Sequence, residues 1–118
     1  MRVHLNQWAP QGKLIVGFFR DPKPDPAFPD REPSMSCDWN KYSTPEETRG
    51  RDKKAPTEYG VIQLIVENVR KVPLQRVEHT PIHPTNQAHS DIFGRKKDEK
   101  IRLKLWSAAS WVPGFGPS

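Results

Sequence analysis

Residues 76–94, RVEHTPIHPTNQAHSDIFG, set three of the chain's four histidines between two short apolar runs and close on Gly94. Pro81 and Pro84 remove two backbone donors and fix φ, so no helix runs through the middle of the stretch. Thr80 and His83 each precede a proline and are pushed toward extended geometry. The stretch therefore predicts two short strands, 75–79 and 88–93, joined by a stiff loop that displays His79, His83 and His89.

Working outward on the N-terminal side, residues 59–66 read YGVIQLIV, apolar at nearly every position except Gln63. That pattern predicts a central strand covered on both faces, with Ile62, Leu64 and Val66 buried. Val66, Val69 and Val72 recur every three residues and suit one helical turn, which Pro73 stops. Before it, STPEE is a helix start: Thr44 at the N-cap, Pro45 at N1, and Glu47 at N3 completing a capping box. Gly50 ends this short helix, 45–50. Residues 34–39 alternate, with Met35, Cys37 and Trp39 on one face of a half-buried strand. Residues 21–33 carry five prolines and predict an irregular or polyproline loop. Residues 13–19, KLIVGFF, have the length and composition of a strand. Residues 1–12 read as a lead-in with a short edge strand.

On the C-terminal side, Asp98 and Glu99 open a helix in which Ile101, Leu105, Ala108 and Val112 share one face. A strand over 101–105 is the rival, because Ile101, Leu103 and Leu105 alternate with Arg102 and Lys104. Ser-Ala-Ala-Ser favours the helix. Trp106 and Trp111 cannot share one helical face, so one is expected to pack inward. The tail, 113–118, is expected to be loose. The whole is one α+β domain, 1–118. It has a small, mostly antiparallel sheet of about five strands, and the C-terminal helix lies on one face.

The 118 residues include 19 Lys and Arg against 14 Asp and Glu, a net charge of +5. The excess points to an anionic partner, an acidic protein or a nucleic acid. The single cysteine, Cys37, excludes an intrachain disulfide and fits a reducing cytoplasm. No stretch approaches the ~20 apolar residues of a membrane span, and no secretory h-region is visible.

The segments W-x-K-Y-S-T-P-E-E (Trp39, Lys41 to Glu47), V-x-H-x-P (Val77 to Pro81) and N-x-A-H (Asn86 to His89) resemble short uncharacterised bacterial proteins, in layout over roughly 13–112. The resemblance implies a bacterial or phage accessory protein and carries no activity or catalytic residue.

Two chemistries fit these residues. A binding surface would use the aromatic and basic group Lys41 and Tyr42, the connector Arg49, Arg51, Lys53 and Lys54, and the turn Arg95, Lys96 and Lys97. Aromatic rings stack on bases while cations track phosphates. The alternative is a metal-independent ribonuclease of the toxin type, in which His79 and His89 serve as acid and base and Arg20 steadies phosphate charge. A metal site is not expected, because the prolines destroy the helical spacing of His79 and His83 and no second cysteine is present. No cofactor motif is read.

Overall fold

The fold is that of a computed structural model, which describes residues 1–51 and 53–117. Asp52 of the basic connector and Ser118 of the tail lie outside it. The chain is α+β, and its described residues form six strands in two antiparallel three-stranded sheets.

The first sheet is built around β3 (Tyr59–Leu64), flanked by β1 (Arg2–His4) and β6 (Ala109–Trp111). The apolar 59–66 stretch is central, as its composition predicts, but only Gly60, Val61 and Ile62 are buried and Leu64 is half-buried. Val66 is exposed, contrary to expectation. The strand stops at Leu64, Ile65 caps α3 (Val66–Arg70), and Val69 turns into the core in its place.

The second sheet is β2 (Ser34–Asp38), β5 (His89–Phe93) and β4 (Arg76–His79), in that order. The histidine stretch forms its hairpin, with Arg76 opposite Phe93 and His79 opposite Ser90. Met35, Val77 and Ile92 lie in register on the face that meets the core. Gly94 leaves β5 at φ 115°, a conformation that favours glycine.

Two segments depart from the sequence reading. Residues 13–19 are not a strand: a 3-10 turn occupies Val16–Phe18. A strand would send Phe18 and Phe19 to opposite faces, whereas the turn delivers both neighbouring rings into the core. The C-terminal helix, α4 (Glu99–Ala108), is capped by Asp98 and rules out the strand over 101–105, but it stops short of Val112. Ala109–Trp111 instead pair with Ile62–Leu64. The open edge of β3 supplies hydrogen-bond partners that outweigh the weak strand propensity of Ser-Ala-Ala-Ser.

The short helix is as the sequence requires. α2 (Pro45–Gly50) begins with the Glu47 amide donating to Thr44 Oγ1 (3.2 Å) and the Thr44 amide donating to Glu47 Oε1 (3.1 Å). The core joins Val3, Phe18, Phe19, Met35, Ile62, Val69, Ile92, Ile101 and Leu105 from both sheets, α3, α4 and the 3-10 turn. Trp111 packs against this core, while Trp106 stays exposed and donates its indole N–H to the Leu14 carbonyl (2.6 Å). Part of the tail is tied down, since the Val61 amide donates to the Phe115 carbonyl (3.0 Å). The proline-rich loop forms no strand or helix and is moored at its end by Glu32, which takes a two-pronged ion pair from Arg76 (2.7 and 2.6 Å).

Candidate functional site

The hairpin separates the two histidines proposed to act together. Side chains alternate along a strand, so His79, opposite Ser90, falls on one face of the sheet and His89 on the other. Arg20 joins neither: its guanidinium lies 4.2 Å from the Trp8 ring centre and donates to the Phe18 carbonyl (2.7 Å). The acid–base set of the ribonuclease alternative is therefore not brought together.

On one face His79 belongs to an aromatic group. Its ring stacks on Tyr42 (centroids 5.6 Å apart, 15° between planes) and meets Trp39 edge-on at 5.1 Å. Trp39 and Tyr42 meet edge-to-face at 5.4 Å. Trp39 is 39% exposed and Tyr42 36%. Lys41 holds its ammonium 5.3 Å from one ring centre and 5.4 Å from the other. The Tyr42 amide donates to the Trp39 carbonyl (3.0 Å), so a tight turn between β2 and α2 fixes the group. His79 donates from Nε2 to the Gln87 carbonyl (2.7 Å), which orients its ring. Arg70 reaches the Val77 carbonyl (3.4 Å), two residues along the same strand.

On the other face His89 closes a polar chain. A carbonyl only accepts, so Nδ1 donates to Thr80 O (2.9 Å), and in the neutral ring Nε2 accepts from the Ser36 hydroxyl (3.2 Å). Thr80 Oγ1 and Ser34 Oγ both donate to Asp91 (2.7 and 2.9 Å). These bonds tie the hairpin to β2.

The remaining binding candidates divide. Lys96 is fully buried, with its ammonium donating to the carbonyls of Ile92 (3.0 Å) and Gly94 (2.8 Å), so it presents no charge to a partner. Burial lowers its pKa. Arg95 and Lys97, its neighbours, are exposed, as is Lys54. Arg49 lies over Phe115. Arg51 donates to Ser43 (3.0 Å) and pairs with Asp38 (3.4 Å).

Asp38 also accepts from Asn86 (3.0 Å) and Thr48 (2.8 Å). Burial works against its charge, but these donors and the Arg51 cation overcome it and hold the carboxyl below the usual range. A carboxylate with a depressed folded pKa contributes stability above its unfolded value, near pH 4, and loses it as pH falls through the folded one. Asp38→Asn is expected to cost about 1.5–3 kcal/mol at neutral pH, as a charged hydrogen-bond acceptor lost. In urea titrations its deficit should shrink below about pH 4; a deficit equal at both pH values would contradict this role.

Cys37 is half-buried, and desolvation pushes its thiol up to about 11. Reaction with a disulfide reagent near pH 8 should run on the order of 100-fold slower than in the urea-unfolded chain, in proportion to thiolate present. Equal rates would show an accessible thiol. Among the described residues no group of three His, Cys, Asp or Glu side chains is placed to hold a metal ion. Among the same described residues no helix is long and apolar enough to cross a membrane.

Two hollows accompany these groups. The larger, about 530 Å³, runs between the sheets and is lined largely by Val61, Leu64, Val66, Val69, Val77 and Ile92, with Asp38 already engaged. The smaller, about 290 Å³, opens beside β1 and holds Arg2, His4, Trp8, Arg20, Ser36 and Lys53. The sequence reading missed it because residues 1–12 have no motif: their chemistry arises only when β1 pairs with β3 and lays Arg2 beside Tyr59.

No family model, curated protein or solved structure matches this chain.

Proposed function

We propose that this chain is a small basic module that binds single-stranded nucleic acid, with Trp39, Tyr42 and His79 as the stacking surface and Lys41 and Arg70 as its cations. The observation that carries the reading is the coexistence of exposed, mutually braced rings with an ammonium between them. Bases present π faces whatever their sequence, and exposed aromatics beside phosphate-tracking cations are what such binding needs. The rings are held by one another and by backbone bonds, so little side-chain freedom remains to be lost on contact. Lys41 is held against rings rather than a carboxylate, which leaves its charge for a phosphate. An acidic protein is the other partner that the basic balance suits, and it gives no comparable role to the stacked rings. The ribonuclease alternative draws no support from histidines on opposite faces.

The test is a fluorescence-anisotropy titration of a labelled single-stranded oligonucleotide across a salt series. Saturable binding whose logarithm falls linearly with the logarithm of salt is expected, with a slope of about −0.7 per phosphate neutralised. Absence of saturable binding at low salt would overturn the proposal.

A further inference from the structure

We propose that the hollow beside β1 is a binding site for a phosphate monoester. It is separate from the aromatic surface, and the inference does not rest on that surface binding nucleic acid.

Three permanent cations meet there from distant parts of the chain: Arg2 on β1, Arg20 after the 3-10 turn, and Lys53 after α2. No carboxylate is among the described residues that line the space. The cations are held in other ways. Arg20 spans the Trp8 ring and spends one N–H on the Phe18 carbonyl. Arg2 donates from one nitrogen to the carbonyls of Arg51 (2.5 Å) and Thr48 (3.4 Å), with its guanidinium 5.4 Å from the Tyr59 ring centre. Lys53 stands 5.0 Å from the same ring. Rings and carbonyls fix the directions of these groups without cancelling their charge. A guanidinium has five N–H donors, so each arginine keeps donors for a ligand. Among the described residues, the carboxylate contact beside the space is on His4, whose Nδ1 accepts from the Gln7 amide (3.2 Å) and whose Nε2 stands 3.8 Å from Glu58.

Like charges brought together in a partly enclosed space repel, and a bound anion relieves that repulsion. Partial burial lowers the Arg20 pKa, a cost that a bound anion would offset. Three cations suit a dianion better than a single carboxylate, and arginine forks match the tetrahedral oxygens of phosphate. Ser36 also lines the wall, but its hydroxyl proton goes to His89, so the donors for a phosphate are the cations. The volume is near the lower end for small-ligand sites, roughly 300–1,000 Å³, and leaves room for a phosphate with a small attached group.

Such a phosphate has two sources, a free small ester or the terminus of a nucleic-acid strand. Calorimetry on the whole protein with inorganic phosphate, with uridine 5′-monophosphate and with uridine tests the chemistry. Both phosphates should bind saturably with a Kd of about 1 mM or tighter, and uridine should not bind. Arg20→Gln and Lys53→Gln should each weaken the monophosphate at least tenfold while Lys104→Gln leaves it unchanged. Lys53 is exposed, so its variant reports even if Arg20→Gln destabilises the chain. A matched pair of oligonucleotides with and without a 5′-phosphate separates the sources: a Lys53-dependent preference for the phosphorylated strand selects the strand terminus, and its absence selects the small ester. Failure of both phosphates to bind, or binding indifferent to Lys53→Gln, would overturn the site. Oligonucleotide binding through Trp39 and Tyr42 could persist in that case, so the two proposals fail separately.

Discussion

Gly94→Ala is expected to destabilise this protein as much as a large core truncation does. The residue sits at φ 115°, and an added Cβ would run into the backbone carbonyl of Leu74 and lie 2.7 Å from the side-chain Nε2 of Gln75. Backbone cannot yield as a flexible side chain does. Left-handed strain of ~1–3 kcal/mol for a non-glycine residue therefore adds to a steric term. The neighbourhood has no slack, since Gln75 spans to the Arg95 carbonyl (3.1 Å) and Lys96 caps the Gly94 carbonyl. The loss should be roughly 3 kcal/mol or more, at the upper end for single substitutions. Ile62→Ala, buried in β3, supplies the comparison at ~2–5 kcal/mol. Urea unfolding of Gly94→Ala with an unchanged midpoint would show that the turn after β5 has another conformation.

Tyr42→Ala is expected to give the largest loss of nucleic-acid affinity. Tyr42 stands between His79 on one side and Trp39 on its edge, so its removal takes away one stacking ring and the brace of two others. A base–aromatic stack contributes about 1–3 kcal/mol, which corresponds to roughly 5- to 150-fold in Kd. Lys41→Gln should weaken binding less and flatten the salt slope by about one phosphate's worth. The two changes therefore separate stacking from charge. Equal losses with equal slopes would place the affinity in charge alone.

Local chemistry made much of this molecule readable from its residues. The α2 capping box, the β4–β5 hairpin, the alternation of Met35 and Cys37 and the Asp98 cap all follow from interactions within a few positions. What was not readable depended on distant partners. KLIVGFF has strand composition, yet both phenylalanines are needed in one core, and a 3-10 turn places them there. Ala109–Trp111 become a strand only because β3 has an edge to fill. Lys96 lies in a basic run that reads as surface, and only the fold gives its ammonium two carbonyls and no water.

The same distinction holds for the sites. Trp39, Lys41 and Tyr42 are near neighbours in the chain, and their grouping was legible. The arrival of His79 across the sheet was not. Opposite faces for His79 and His89 follow from register, which a proline-containing loop does not reveal. Arg2, Arg20 and Lys53 are scattered along the chain, and no spacing rule could have joined them.

The most direct test of the nucleic-acid proposal is a competition at one moderate salt concentration. A labelled single-stranded oligonucleotide bound to the protein is displaced by an unlabelled strand or by a poly-glutamate peptide of matched charge. Stacking on Trp39 and Tyr42 predicts that the strand competes at least tenfold better, about 1.4 kcal/mol, because the peptide offers charge without bases. Equal competition by the two would contradict the account and assign the surface to acidic partners in general.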